Sequence, residues 1–265
     1  MSTIRMRPPL TYYGGKQRLA SEIISRIPSD HILYASVFAG GAAEFFAKDP
    51  SEVEVLNDTN KELMNFYQVV KTRFVDLEKM VKISLHSRSM HKDSSVIYNN
   101  PHLFSDIQRA WAVWIQASQS FSSMLDSSWG FDKKRNQTTK KIESKKVGFT
   151  EDYAIRLQNV QLECADALYI IQSRDTKGSF FYCDPPYFNS DCGHYGGYTH
   201  QDFVNLLGVL CKIKGRFLLS SYPSDELEKF TREHSWSTVK FEKQVSVNKG
   251  AGKIKIEVMT ANYSI

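Results

Sequence analysis

The sequence predicts an α/β fold in which a helical insertion interrupts a doubly wound sheet. Residues 32–58 run in the order strand, glycine turn, helix, strand, acid, which is the opening of such a sheet. After residue 151 strands and helices alternate again, whereas the intervening pattern is helical. The 265 residues are 42% hydrophobic and 24% charged, which excludes wholesale disorder. No apolar run approaches the ~18 residues of a membrane span.

Hydrophobic periodicity assigns the elements of the first half, and Pro28 ends the first helix. The expected elements are helix Lys16–Ile27, strand Ile32–Phe38, a short helix into Phe46, strand Val53–Leu56, and helices Asn60–Met80 and Leu103–Leu125. Trp111, Trp114 and Phe121 of the last helix are predicted to lie in the core of the insertion. A basic loop is predicted to follow.

The second half is predicted to return to the sheet. The expected elements are a helix to Glu163, strand Ser179–Cys183, a loop to Thr199, helix His200–Lys212, strand Arg216–Ser220, helix Ser224–Glu233, and strands near Ser237–Phe241 and Lys255–Asn262.

The positive charge is concentrated in one segment. Residues 131–150 include seven basic and two acidic residues. Their net charge of +5 equals the net charge of the whole chain. Such a concentration is typical of a segment that contacts nucleic-acid phosphates, although the charge alone fits a solvated loop equally well. The basic residues are Lys133, Lys134, Arg135, Lys140, Lys141, Lys145 and Lys146.

Cysteine and histidine spacing indicates neither disulfides nor metal. The four cysteines form no Cys-x-x-Cys pair, and Cys192 with His194 lacks the second ligand pair that zinc needs. The N-terminal segment lacks the apolar stretch of a secretory signal. We therefore expect a protein of the reducing cytoplasm without a metal site.

Two glycine turns and an acid point to a nucleoside ligand. Tyr12 to Lys16 reads Tyr-Tyr-Gly-Gly-Lys before a helix; it allows close backbone approach and places a lysine that can reach a carboxylate. Gly40 and Gly41 follow the first core strand, and Asp58 comes 18 residues after Gly40. This is near the ~20-residue spacing at which an acid accepts both hydroxyls of a ribose. A tight turn with a helix-capping aspartate is the alternative.

Asp184-Pro185-Pro186-Tyr187 directly follows an apolar strand. The two prolines keep the chain stiff and extended. A carboxylate and a carbonyl in one cleft can accept both N–H bonds of an exocyclic amine, while an aromatic ring stacks on its flat heterocycle. An ordinary strand-ending turn is the alternative.

Together, these motifs resemble those of the Dam-type (alpha-group) DNA adenine-N6 methyltransferases. The matching parts, in the family's order, are Pro9–Lys16, Phe38–Phe46, Asn57-Asp58 with Asn60, Asp166, Asp184–Tyr187, Phe217–Tyr222 and Glu257–Tyr263. Ala42 stands where a further glycine is usual, and Ser120–Asn136 has only a loose likeness to members that read GATC.

The resemblance implies a Rossmann-like methyltransferase sheet with an inserted, mainly helical target-recognition domain. The catalytic domain would comprise residues 1–60 and 151–265, and the basic recognition domain residues 61–150. The catalytic residues implied are Asp184, Pro185, Pro186 and Tyr187. The S-adenosylmethionine-binding residues implied are Tyr12, Gly15, Lys16, Phe38, Gly40, Gly41, Asp58, Asp166 and Asp184.

The reaction implied is methyl transfer from S-adenosylmethionine to the N6 amine of an adenine flipped out of double-stranded DNA. A cognate restriction endonuclease is a candidate partner, and the cytoplasm of a bacterial or phage-infected cell is the expected location. The alternatives are cytosine-N4 methylation, methylation of RNA or of a protein amine, and a catalytically idle DNA-binding protein.

Overall fold

The computed structural model describes residues 6–188, 197–244 and 254–265. In this part of the chain, seven strands form one sheet in the order β3-β2-β1-β4-β5-β7-β6. The strands are β1 Leu33–Ser36, β2 Val53–Asn57, β3 Gln161–Glu163, β4 Ser179–Cys183, β5 Arg216–Ser221, β6 Ser237–Gln244 and β7 Ile254–Ala261.

Strand direction and burial confirm the predicted fold class. Strand β4 is parallel to both β1 and β5, whereas β7 is antiparallel to β5 and β6. All five residues of β4 are buried, as expected for a central parallel strand with both faces covered. The register places Phe181 of β4 opposite Ala35 on one side and Phe217 on the other.

The described chain also contains eleven α-helices and two short 3₁₀ turns, at Pro101–Leu103 and Phe121–Ser123. The helices are α1 Ala20–Ile24, α2 Ala43–Ala47, α3 Lys61–Thr72, α4 Phe74–Ile83, α5 Arg88–Asn99, α6 Asp106–Gln119, α7 Gln137–Val147, α8 Asp152–Leu157, α9 Ala167–Ser173, α10 His200–Leu210 and α11 Asp225–Glu233.

The chain groups into two compact units. The first contains Met1–Ile24, Ala39–Pro50 and Leu56–Cys164; the second contains Ser25–Phe38, Ser51–Val55 and Ala165–Ile265. In the first, the Arg109 guanidinium of α6 pairs bidentately with the Glu62 carboxylate of α3, at 2.8 and 2.7 Å. In the second, the buried core includes Phe181, Leu207, Phe217 and Trp236. The expected boundary of a recognition domain at residues 61–150 stays a prediction.

Several element boundaries differ from those predicted. The first helix is shorter, Ala20–Ile24 instead of Lys16–Ile27. The helix expected over Asn60–Met80 is broken at Arg73, where φ is −140° and the guanidinium bonds to Asp106 of α6. Tertiary pairing overrides the continuous helical periodicity at this residue.

Three further expectations were wrong. The segment predicted as a basic loop is helical over Gln137–Val147, because Ile142 is fully buried and anchors α7. The helix expected to reach Glu163 ends at Leu157 and is followed by β3. Trp111 and Trp114 are buried as predicted, but Phe121 is 61% exposed. Part of the predicted loop to Thr199, with Cys192 and His194, lies outside the described residues.

Candidate active site

Asp58 is held at the end of β2 by two backbone groups of the first unit. Its Oδ2 accepts the Gly40 N–H and its Oδ1 accepts the Asn60 N–H, each at 2.9 Å. Burial raises the pKa of Asp58, while these two N–H bonds pull it down. An ionised carboxylate has about four acceptor positions, so two remain for a ligand.

The glycines after β1 make room for an aromatic side chain. Gly40 has φ +48°, and a Cβ there would lie 3.1 Å from Cδ1 of Tyr12. A Cβ on Gly41 would lie 2.9 Å from Cβ of Tyr12. The buried Tyr67 hydroxyl donates to the Gly40 carbonyl at 2.7 Å, which fixes the turn from its other side. Sequence reasoning missed Tyr67, whose hydrophobic surroundings resemble those of any core tyrosine.

The N-terminal glycine turn positions Tyr12 and Lys16. The Gly15 N–H donates to the Tyr12 carbonyl at 3.0 Å, and a Cβ on Gly15 would lie only 2.9 Å from that oxygen. The Lys16 ammonium donates to the Gly14 carbonyl at 3.1 Å, and the residue is 6% exposed. The turn thus presents Tyr12 to Gly40 and keeps the Lys16 charge within the protein.

In the second unit, the tetrapeptide leaves β4 with its carboxylate fixed by its own tyrosine. The Tyr187 hydroxyl donates to Oδ1 of Asp184 at 3.3 Å, and its ring centroid lies 4.4 Å from that of Tyr222. Burial, followed by the negative charge of Asp184, raises the pKa of Tyr187 well above its usual value. Tyr187 therefore remains a neutral donor to the Asp184 carboxyl group. Pro185 is buried and Pro186 is half-buried.

Asp166 and Phe38 also belong to the second unit. Asp166 caps α9, since its Oδ1 accepts the N–H groups of Leu168 and Tyr169 at 2.9 and 3.1 Å. Phe38 meets Tyr198 edge to face, with centroids 6.3 Å apart. Burial raises the pKa of Tyr198, so its hydroxyl stays protonated at neutral pH.

The Asp58 carboxylate fits the ribose of S-adenosylmethionine. Its two remaining acceptor positions can take hydrogen bonds from the two hydroxyls of the ribose. The other predicted cofactor residues remain assignments by resemblance.

In the described residues 6–188, 197–244 and 254–265, no group of three His, Cys, Asp or Glu side chains could hold a metal ion. None of the helices described there is long and apolar enough to cross a membrane.

The seven basic residues of the 131–150 segment have different surroundings. Lys133, Lys134 and Arg135 precede α7 and are exposed, as are Lys140 and Lys141 on that helix. The Lys146 ammonium instead donates to the Ser84 carbonyl at 2.9 Å and pairs with Glu143 at 3.1 Å.

Lys145 is the other packed member of this set. Burial, with a smaller effect of the positive charge of Lys141, lowers the pKa of Lys145 to about 8. Five of the seven predicted DNA contacts are therefore exposed, and two are packed against the protein.

Comparison with known proteins identifies the family. The family model for the D12 class N6 adenine-specific DNA methyltransferases matches residues 12–206. A type II methyltransferase, M1.LlaDCHI of Lactococcus lactis subsp. cremoris, is 25% identical over 76% of this chain and 72% of its own length. A DNA adenine methylase of Vibrio cholerae serotype O1 is 25% identical over 98% and 97% of the two chains.

A third relative extends the likeness to a viral protein. The type II methyltransferase M.CviBI of Paramecium bursaria Chlorella virus NC1A is 24% identical over 98% of this chain and 99% of its own length. The family model spans both the glycine turn with Asp58 and the Asp184–Tyr187 tetrapeptide. With most of its length matched by that model, the chain belongs to the D12 class of N6 adenine-specific DNA methyltransferases.

Proposed function

We propose that Asp184 orients the N6 amine of the target adenine for methylation. The hydrogen bond from Tyr187 to Asp184 Oδ1 carries this assignment, because it holds the carboxylate, a group that can accept an amine hydrogen, beside an aromatic ring at the end of β4. The Pro185 carbonyl is assigned the second amine hydrogen. Accepting both favours a tetrahedral nitrogen with its lone pair directed at the methyl donor.

This chemistry needs an orienting group because the adenine amine is a poor nucleophile, its lone pair being delocalised into the ring. Bound S-adenosylmethionine supplies an electrophilic methyl group on a sulfonium. A nearby carboxylate stabilises the positive charge that develops on the attacking nitrogen. Tyr187 is assigned the stacking contact with the extruded base, worth roughly 1–3 kcal/mol.

We assign cofactor contacts within each unit separately. In the first unit, Asp58 binds the ribose hydroxyls, and Tyr12, Gly15, Lys16, Gly40 and Gly41 surround the methionine end. In the second unit, Asp166 binds the adenine amine through the oxygen that does not cap α9, and Phe38 and Asp184 complete the set. The two acceptor positions left on Asp58 support the ribose assignment.

The partners follow from the substrate. Double-stranded DNA is the substrate, and residues 61–150, with their exposed lysines, are proposed as the recognition domain. We further propose that the enzyme acts in the cytoplasm of a bacterial or phage-infected cell. A cognate restriction endonuclease would cut unmethylated DNA and spare DNA that this enzyme has methylated. Comparing the cleavage of treated and untreated DNA by a candidate endonuclease tests this partnership.

The test is methyl transfer by Asp184→Asn. Its amide NH₂ cannot accept from the adenine amine, and the charge is lost, so single-turnover transfer should fall by ~10²–10³. Cofactor affinity, measured by calorimetry, should fall far less than the rate, because the other assigned cofactor contacts remain in place. Asp225→Asn, an exposed acid on α11 of the same unit, is the matched control and should transfer normally. Transfer by Asp184→Asn at the parental rate would exclude the orienting role.

A further inference from the structure

An arginine lies over two stacked aromatic rings in the first unit. The Trp129 and Phe131 rings are 5.4 Å apart and inclined by only 17°. The Arg88 guanidinium carbon lies 4.6 Å from the Trp129 centroid and 5.5 Å from that of Phe131. We call these three residues the arginine platform. Both distances lie within the ~6 Å at which a cation is attracted to an aromatic face.

Hydrogen bonds fix the platform to the helices on either side. The Gly130 N–H donates to the Gln119 carbonyl at the end of α6, at 2.7 Å. The His86 ring packs 4.9 Å from Trp129, and its Nε2 lies 2.9 Å from the Gly130 carbonyl oxygen. His91, on the same helix as Arg88, bonds to Ser120 at 2.8 Å. These contacts hold residues 129–131 against the end of α6 and the residues that precede α5.

The Arg88 charge is presented to solvent. The residue is exposed, and no ion pair found among the described residues includes it. A shallow concavity of about 390 Å³ beside it is lined by His86, Trp129, Phe131 and the basic run Lys133–Arg135. Asp132 is also there, but its carboxylate accepts the backbone N–H of Thr138 near the start of α7. The surface thus combines a stacked arginine with free cations.

We propose that Arg88 is a specificity-determining residue that binds the edge of a guanine in the target duplex. This inference rests on the proposed function, since it requires DNA as the substrate. A guanidinium is a rigid planar fork, and pairing its two N–H groups with O6 and N7 of guanine is the commonest base-specific contact in the major groove. Stacking on Trp129 orients the fork in advance, so less side-chain entropy is lost on binding. Lys133, Lys134 and Arg135 are then placed to contact the adjoining phosphates.

The experiment measures base preference at every position of the target. Wild type, Arg88→Ala, Arg88→Lys and Lys92→Ala methylate a duplex pool randomised around one adenine, and sequencing of the modified strands gives the relative rate for each base. Lys92 is the control, an exposed cation on the same helix. Both Arg88 variants should lose discrimination at one G·C pair by roughly 5- to 150-fold, and keep it elsewhere. Lys92→Ala should keep the parental preferences.

Arg88→Lys separates base reading from a phosphate contact. It preserves the charge but not the planar fork, so a phosphate contact would survive in it and base reading would not. A uniform loss of rate in Arg88→Ala that Arg88→Lys restores would show a phosphate contact and overturn the proposal. Unchanged preferences in folded Arg88→Ala would also overturn it. A merely structural role would lower the melting temperature without altering preference at a single position. Failure of the wild type to methylate any duplex would instead refute the proposed function.

Discussion

Residues of the candidate site also maintain the local backbone. Asp58 accepts from Gly40 and Asn60, so its carboxylate fixes the turn after β1 as well as the start of α3. Asp166 caps α9 with the same carboxylate that is assigned to the cofactor. Hydrogen bonds to charged groups contribute about 1.5–3 kcal/mol each. Substitutions at these acids must therefore be measured for stability as well as for binding.

Asp58→Ala should weaken S-adenosylmethionine binding by roughly 1.5–3 kcal/mol, because a bidentate charged contact to the ribose is lost. Calorimetric titration measures the dissociation constant, and the melting temperature reports the accompanying loss of the turn. Asp49→Ala removes an exposed acid of the same unit and should leave the constant unchanged. An unaltered constant in folded Asp58→Ala would remove Asp58 from the cofactor site.

Ala42 is strained by a left-handed backbone conformation. Its φ of 50° and ψ of 42° are left-handed, a conformation that costs an L-residue roughly 1–2 kcal/mol. Ala42→Gly should raise the free energy of unfolding by up to about 1 kcal/mol, since the loss of one methyl group offsets part of the relief. Urea denaturation measures it. Ala43→Gly is the control. Ala43 is also buried but has a helical conformation in α2, so this substitution should lower the free energy of unfolding by about 1 kcal/mol.

At the scale of elements, α7 shows how packing converts a charged segment into a helix. Its eleven residues include four lysines and one isoleucine, and Ile142 is fully buried. Lys146 reaches back to the Ser84 carbonyl after α4. Lys145 is half-buried, and burial lowers its pKa to about 8. The helix is thus anchored by its buried side chains rather than by its periodicity.

Lys145 should make stability depend on alkaline pH. Its folded pKa of about 8 lies below the ordinary lysine pKa of 10.5, so the destabilisation by the buried charge is fully present below pH 8. Between pH 8 and 10.5 the unfolded chain binds more protons, and the free energy of unfolding rises. Lys145→Met should therefore raise the free energy of unfolding by about 1–3 kcal/mol at pH 7 and abolish its increase between pH 8 and 10.5.

Urea denaturation at pH 7 and at pH 10 measures that difference. Lys140→Met, an exposed position on the same helix, is the control and should change stability by less than about 0.5 kcal/mol at both values. A Lys145→Met variant as stable as the parent at pH 7 would contradict the assignment of a buried charge.

At the scale of the whole molecule, the surplus charge of +5 equals that of residues 131–150. If Lys133, Lys134 and Arg135 each contact a phosphate, replacing all three by alanine should flatten the log–log salt dependence of DNA binding by roughly 0.9 for each contact. Base preference should change little, because phosphate contacts position the protein without reading sequence.

Filter binding from 50 to 200 mM salt would measure that slope. The control replaces Lys212, Lys214 and Lys229 by alanine. These lysines are exposed in the second unit, and the triple substitution removes the same amount of charge. The control should keep the parental slope. Equal slopes in all three proteins would return residues 133–135 to the status of solvated cations.

The sequence by itself determined the fold class, the family and most sheet strands. Residues Ser179–Cys183 form β4 with the predicted bounds, because a five-residue apolar run that ends at Asp-Pro-Pro is typical of a buried strand leaving a sheet. It also paired Gly40 with Asp58 as parts of one nucleoside site by their spacing, and the structure adds the hydrogen bond from the Gly40 N–H to Asp58. It failed where a short element has little pattern of its own, as in β3 and α9.

Only the tertiary structure decided which side chains meet. It placed Tyr12 against Gly40 and Gly41, broke the long helix at Arg73, buried Ile142, and stacked Arg88 on Trp129. Arg88 and Trp129 are 41 residues apart in the chain, and neither has a periodicity that refers to the other. Hydrophobic spacing reports which face of an element is buried, but the partner on that face is selected by packing among distant elements.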